Sequence, residues 1–234
     1  MSELIHNPNK RSFTTPKGAA VFPHLNNPDF KYDDDGVYKT DLALDAESPE
    51  AQEFMELIDS YVDEAVEEQK AELKPAQAKK LEAHKPYFME EDEEGEETGR
   101  VKFRFKANYQ WKDKKSGKTN YRNITMFDSK GGKPLSNPPT VRHGSLLKIA
   151  AKFGNSWYSA QNKTAGVTMY IQAVQILELA EGGGSAENFG FGEEEDYSSV
   201  ADESSDFSEE DGYEADDDAD ADAEEGPAEG EGDF

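Results

Sequence analysis

Aromatic side chains interleaved with lysine and arginine between residues 100 and 163 are the part of this sequence best suited to binding chemistry. The candidate cations are Arg104, Lys106, Lys112, Lys114, Lys115, Lys118, Arg122, Lys148, Lys152 and Lys163. The candidate stacking rings are Tyr109, Trp111, Tyr121, Trp157 and Tyr158. An unpaired nucleic-acid strand offers a partner to both kinds of group. Its phosphates draw the cations, and its exposed base faces stack on rings at about 1–3 kcal/mol each. Residues 100–180 hold 15 basic and 3 acidic residues, a charge of +12. Lysines on a strand's outer face also serve solubility and edge protection, so segregation of charge is the stronger signal.

Covalent and metal chemistry find little here. There is no Cys, hence no thiol nucleophile, no disulfide and no Cys-ligated metal. His6, His24, His84 and His143 are scattered, with no HExxH spacing. There is no GxxxxGK[ST] loop and no GxSxG elbow. Asp33 to Gly36 starts like a calcium loop, but the position of its closing Glu falls near Leu44. The expectation is a binding protein with no catalytic residue, no metal and no cofactor.

Several elements must position the basic and aromatic residues. Val101 to Trp111 alternates, with Val101, Phe103, Phe105, Ala107, Tyr109 and Trp111 on one face and Lys102, Arg104, Lys106, Asn108 and Gln110 on the other. Phe103 and Phe105 read as core. Tyr109 and Trp111 share their face, and the spacing fits a barrel-end cap as well as a stacking pair. Lys112 to Thr119 is a basic turn, and Asn120 to Asp128 a returning strand, together a hairpin. Leu146 to Phe153 and Val167 to Leu179 are strands. Gly154 to Gly166 reads as a polar loop, where Trp157 and Tyr158 have no core to join and binding is the better reading. Earlier in the chain, Ala19 to Leu25 reads as an edge strand because of Pro23, and Val37 to Leu44 as a half-buried strand. Ser48-Pro49 starts a helix whose apolar stripe, Phe54, Ile58, Tyr61, Val62, Ala65 and Val66, runs to about Leu73. The expected fold is mainly β: a five-stranded, partly open barrel of the OB type with one inserted α-helix. A β-sandwich fits the same strand pattern.

Charge divides the 234 residues sharply. Residues 1–180 hold 28 acids and 25 bases, a charge of −3, whereas residues 181–234 carry −23 and no base. The reading is a core over 1–180, with a flexible arm at 1–18, and a disordered acidic tail over 181–234. Charge blocks of this size often act as interaction tails. This one could compete with DNA for a cationic groove or dock on a basic partner, with the terminal Asp233-Phe234 as its anchor. No apolar run approaches a membrane span and no secretory h-region is present.

The chain resembles the single-stranded DNA-binding proteins of short-tailed bacteriophages, the podoviruses. The resemblance rests on GVYKTDL at 36–42, the amphipathic helix after it, VKFRFKANYQWKDKKSGKT at 101–119, FDSKGGK at 127–133, ILELA at 176–180, the triple glycine and the acidic tail closing on GDF. It implies an OB-fold core that coats single-stranded DNA without sequence preference, anneals complementary strands and forms a homodimer. It implies a place in phage replication, recombination and repair in the cytoplasm of the bacterial host. It also implies a tail that shields the DNA groove and contacts the replicative DNA polymerase and the primase-helicase. By position, Lys106, Tyr109, Lys112, Lys114, Lys115 and the Trp157-Tyr158 segment match the basic-aromatic surface. The arm departs: family members carry Lys close to their start, and here the first base is Lys10. A rival reading is a polyanionic chaperone or DNA mimic that binds basic proteins through the tail. Another is an OB-fold RNA binder, since the choice of DNA rests on the resemblance.

Overall fold

The computed structural model describes residues 4–92 and 94–180. The disordered tail expected at 181–234 lies outside the described residues, with Asp233 and Phe234. Five strands close a barrel: β3 (Gly18–Asp29), β4 (Val37–Asp45), β7 (Glu97–Asn108), β14 (Met169–Glu178) and β11 (Leu146–Phe153). Neighbours run β3-β4-β7-β14-β11, and β11 returns to β3. All contacts around the ring are antiparallel except β7 with β14. This is the barrel expected from the alternation, and closure settles the choice against a sandwich.

Alternation dictates the core. Val101, Phe103, Phe105 and Ala107 of β7 are buried, as are Leu147, Ile149, Ala151 and Phe153 of β11 and Met169, Ile171, Val174 and Ile176 of β14. The helix α1 (Pro49–Glu72) lies between β4 and β7 in the chain. Ser48 Oγ accepts from Ala51 N at 3.2 Å, Pro49 takes the first helical position and Leu73 is the C-cap. Its apolar stripe fills the barrel's aromatic centre. Phe54 lies 4.6 Å from the Phe103 ring and 5.4 Å from Phe13, and Tyr61 stacks on Phe153 at 4.0 Å. Pro75 opens a further short helix, α2 (Pro75–Ala78).

Four sequence expectations change. The described part of the arm expected at 1–18, residues 4–18, is not free: β1 (Ile5–Asn7) pairs with β2 (Ser12–Thr14), and β2 pairs with β11 through Ala150↔Thr14. Phe13 anchors it, buried against Phe54 and Phe153. Nor is β3 an edge. Pro23 is accommodated because Phe22 and Pro23 together oppose Thr40, a bulge between Val21↔Asp41 and His24↔Lys39. The return strand splits into β9 (Thr119–Tyr121), which pairs with β8 (Gln110–Lys112), and β10 (Thr125–Phe127), which runs parallel to β14. The loop expected at Gly154–Gly166 is a hairpin, β12 (Trp157–Ser159) with β13 (Thr164–Gly166), and β13 also pairs in parallel with β5 (Glu82–His84). The last strand, β6 (Tyr87–Glu91), covers the start of β7. No helix among the described residues is long and apolar enough to cross a membrane.

Phe54 is fully buried among three rings that belong to two other elements, β2 and β7. Phe54→Ala is expected to cost about 3–5 kcal/mol of unfolding free energy in urea titration. Ser48→Ala, which removes only the cap, should cost about 1 kcal/mol in the same assay.

Candidate nucleic-acid interface

A filled barrel leaves only its outer face for a ligand, and the seam between β7 and β14 is where that face opens. The seam is short. Only Met169↔Phe105 and Tyr170↔Lys106 are in register there. One cleft, of about 390 Å³, lies on one side, lined by His84, Arg104, Lys106, Trp157, Thr168 and Tyr170 among others. A second, of about 220 Å³, is lined by Asn108, Trp111, Arg122, Lys152, Tyr170 and Gln172. Tyr170 belongs to both. Its strand neighbours are Lys106 on β7 and Lys152 on β11, so a ring sits between two cations across three strands. A larger hollow, about 820 Å³, lies by the start of α1, where Asp45, Glu47 and Glu50 outnumber Lys17 and Arg100 and no aromatic ring is present to stack a base.

Two glycines shape this groove. A Cβ on Gly154 would lie 2.6 Å from Tyr170 Cε2, so the ring rests directly on the glycine backbone. A Cβ on Gly166 would strike the His84 carbonyl oxygen. Gly166 thus permits the close β13–β5 pairing, which brings His84 to 5.3 Å from the Trp157 ring.

The β8–β9 hairpin supplies the second cleft. Tyr109 seats it, packed edge-on against buried Tyr38 at 5.9 Å and against Phe30 at 5.8 Å, with Tyr121 at 5.4 Å. Tyr109 is therefore the anchor that the barrel-cap reading described. Trp111 belongs to the same alternation but is 40% exposed, because the chain leaves the barrel after Asn108. The Arg122 guanidinium lies 5.3 Å from its ring centroid. At the hairpin tip the Asp113 carboxylate accepts from the Lys115 and Ser116 amides and the Ser116 hydroxyl. These bonds hold its carboxyl below the usual range. Gly117, at φ +68°, completes the turn. Lys112, Lys114, Lys115 and Lys118 surround this turn.

The other candidates divide. Lys106, Lys112, Lys114, Lys115, Lys118, Arg122, Lys152 and Lys163 form no ion pair with a carboxylate among the described residues. Arg104 is 3.6 Å from Asp41 and also lies over the Phe88 ring at 5.0 Å. Burial pushes the Asp41 carboxyl up, and Arg104 opposes that shift. Lys148 stands opposite Gln175 and lines neither cleft. Lys163 sits at φ +55° in the β12–β13 turn, its carbonyl accepting from Glu82 N. Tyr158 points to the opposite side of β12 from Trp157. Tyr121 is exposed beside Tyr109. Tyr170 and His84 were missed by the sequence reading. For Tyr170 the signal was present: with Met169 and Ile171 inward, a tyrosine between them must face out within a +12 segment.

Comparison with known proteins decides the family. A family model described as the single-stranded DNA-binding protein of bacteriophage T7 matches residues 17–179. The chain belongs to this family. Single-stranded DNA-binding family members of phage T3 and phage T7 are 31% and 30% identical, over 83% and 77% of this chain and 88% and 81% of theirs. The crystal structure of gp2.5, the T7 single-stranded DNA-binding protein, superposes with a TM-score of 0.64 at 28% identity, covering 81% of this chain and 98% of that one. The single-stranded DNA-binding protein of phage Enc34, solved in complex with single-stranded DNA, shares the fold at 11% identity, with a TM-score of 0.51 and coverage of 77% and 93%. The family's function is DNA binding, not catalysis.

Two outcomes test this geometry. Gly154→Val should displace Tyr170 and weaken oligo(dT) binding about tenfold, read by fluorescence titration. The Asp113 carboxyl has a lowered folded pKa, so its contribution is present above about pH 4 and lost as pH falls through the folded value. The Lys115 and Ser116 amide resonances should shift in that acid range, and Asp113→Ala should abolish the shift.

Proposed function

We propose that the chain coats single-stranded DNA without sequence preference through the β7–β14 groove. The observation that carries this reading is the alternation of rings and cations along it: Trp157, Lys106, Tyr170, Lys152, Arg122 and Trp111 line two clefts that meet at one tyrosine. Rings stack on any base, and cations follow any backbone, so no sequence reading is required. The hairpin-tip lysines extend the phosphate track. DNA is preferred over RNA on family membership.

Residues 181–234 regulate access on this reading. A charge of −23 tethered to the core competes with DNA for the same cations, and the competition weakens with salt. The closing Asp233-Phe234 joins a charge to a ring and suits a pocket on a basic partner. Family membership supports the replicative DNA polymerase and the primase-helicase as those partners. It equally supports homodimerisation, strand annealing and service in replication, recombination and repair in the host cytoplasm.

Trp111 and Trp157 are the only tryptophans, one in each cleft. Titration of the full-length chain with oligo(dT) should quench their fluorescence. A 1–180 truncation should bind more tightly and lose binding to polymerase and primase-helicase. Lys106→Ala and Lys152→Ala should each lower the slope of log K against log salt by about one contact. Absence of binding by either form would leave the acidic segment as the functional element and favour the polyanionic chaperone.

A further inference from the structure

Phe22 occupies a position that its own chemistry disfavours. Its φ is +45°, a left-handed conformation that bulky residues rarely adopt, and it precedes a proline, which restricts it further. The residue is 74% exposed and gains little from burial. Glycine or asparagine would form the same bulge without strain. Strained backbone that presents an exposed ring is the pattern of a functional contact.

The surroundings identify the contact. Phe22 lines a cleft of about 380 Å³ with Val37, Lys39, Asp41, Arg104 and Lys106. Lys39 is paired there with Asp29, and Arg104 lies 3.6 Å from Asp41, which leaves Lys106 as the cation of this cleft with no carboxylate partner among the described residues. Arg104 and Lys106 also line the Trp157 cleft on the other side of β7. The two residues thus form a cationic ridge with a ring on each side. The His143 ring lies 5.3 Å from the Phe22 ring and limits its swing.

We propose that Phe22 is a further stacking platform: the bound strand crosses the Arg104–Lys106 ridge and places an unpaired nucleobase on the Phe22 ring. This rests on the DNA-binding reading above and lengthens the path it describes. The bulge is then the device that turns the ring outward. Without it, residue 22 would follow the alternation of β3.

The test is the affinity of the full-length protein for oligo(dT) across a salt series, with Phe22→Gly, Phe22→Ala and Phe22→Tyr beside the wild type. Phe22→Gly suits the left-handed backbone, so its melting midpoint should equal or exceed that of the wild type. Its affinity should fall about tenfold, with an unchanged salt slope because no phosphate contact is lost. Phe22→Ala should fall similarly, and Phe22→Tyr should bind as the wild type does. Wild-type affinity in Phe22→Gly would overturn the assignment and leave the β7–β14 groove standing. A reduced salt slope in Phe22→Gly would mean a disturbed phosphate track and would also overturn it. Failure of the wild type itself to bind would overturn both readings.

Discussion

Barrel closure depends on two brief contacts, β3 with β11 and the parallel one of β7 with β14, and the parallel one shapes the surface. β7 and β14 meet only where the end of one passes the start of the other, at Phe105–Lys106 and Met169–Tyr170. Parallel strands that overlap this little leave long unpaired edges, and the chain covers each with another segment. β6 lies along the earlier part of β7, and β10 along the later part of β14. Closure buries Met169 and Phe105 completely. It also obliges Lys106 and Tyr170, the next residue on each strand, to face outward. The inner pair holds the barrel shut, and the outer pair begins the groove. Clefts open on both sides because neither covering strand reaches the contact itself.

The groove is therefore a product of topology more than of any loop. Trp157 arrives through a hairpin whose partner, β5, follows the helical segment some eighty residues earlier. Trp111 arrives through a hairpin that starts where β7 leaves the barrel. Tyr109 makes that departure stable, since it keeps its place on the apolar face while the residues after it do not. Neighbouring residues of one alternating stretch thus divide between structure and binding according to which side of the barrel's rim they fall.

Local physics made much of this legible in the sequence. The cap at Ser48, the stripe from Phe54 to Val66 and the inward faces of β7 and β11 follow from spacing alone, because each is a contest between water and a nearby apolar surface. The charge of residues 100–180 pointed to the surface for which DNA binding is proposed. Pairings between distant segments were not legible. Nothing near Gly154–Gly166 announces a partner at Glu82–His84, so the segment read as a loop. Pro23 correctly marked a place where ladder bonding fails, but a bulge inside the barrel and an edge strand satisfy that rule equally. Phe13 is a single buried ring in a polar stretch, too little periodicity to reveal β2.

β7 also joins two regions of opposite charge. At its start, the turn from β6 exposes Glu91, Asp92, Glu94, Glu96 and Glu97, and at its end the chain enters the lysine-bearing hairpin. Twelve residues separate these regions, roughly 40 Å at the usual rise of a strand. The core is nearly neutral, yet this strand gives it a large dipole moment. On the core taken without residues 181–234, a polyanion some distance away would exert a torque before it exerted a net pull, turning the hairpin toward itself and the acidic turn outward. Diffusional encounter would then begin with the molecule already aligned, a rate advantage that disappears as salt shortens the reach of the field.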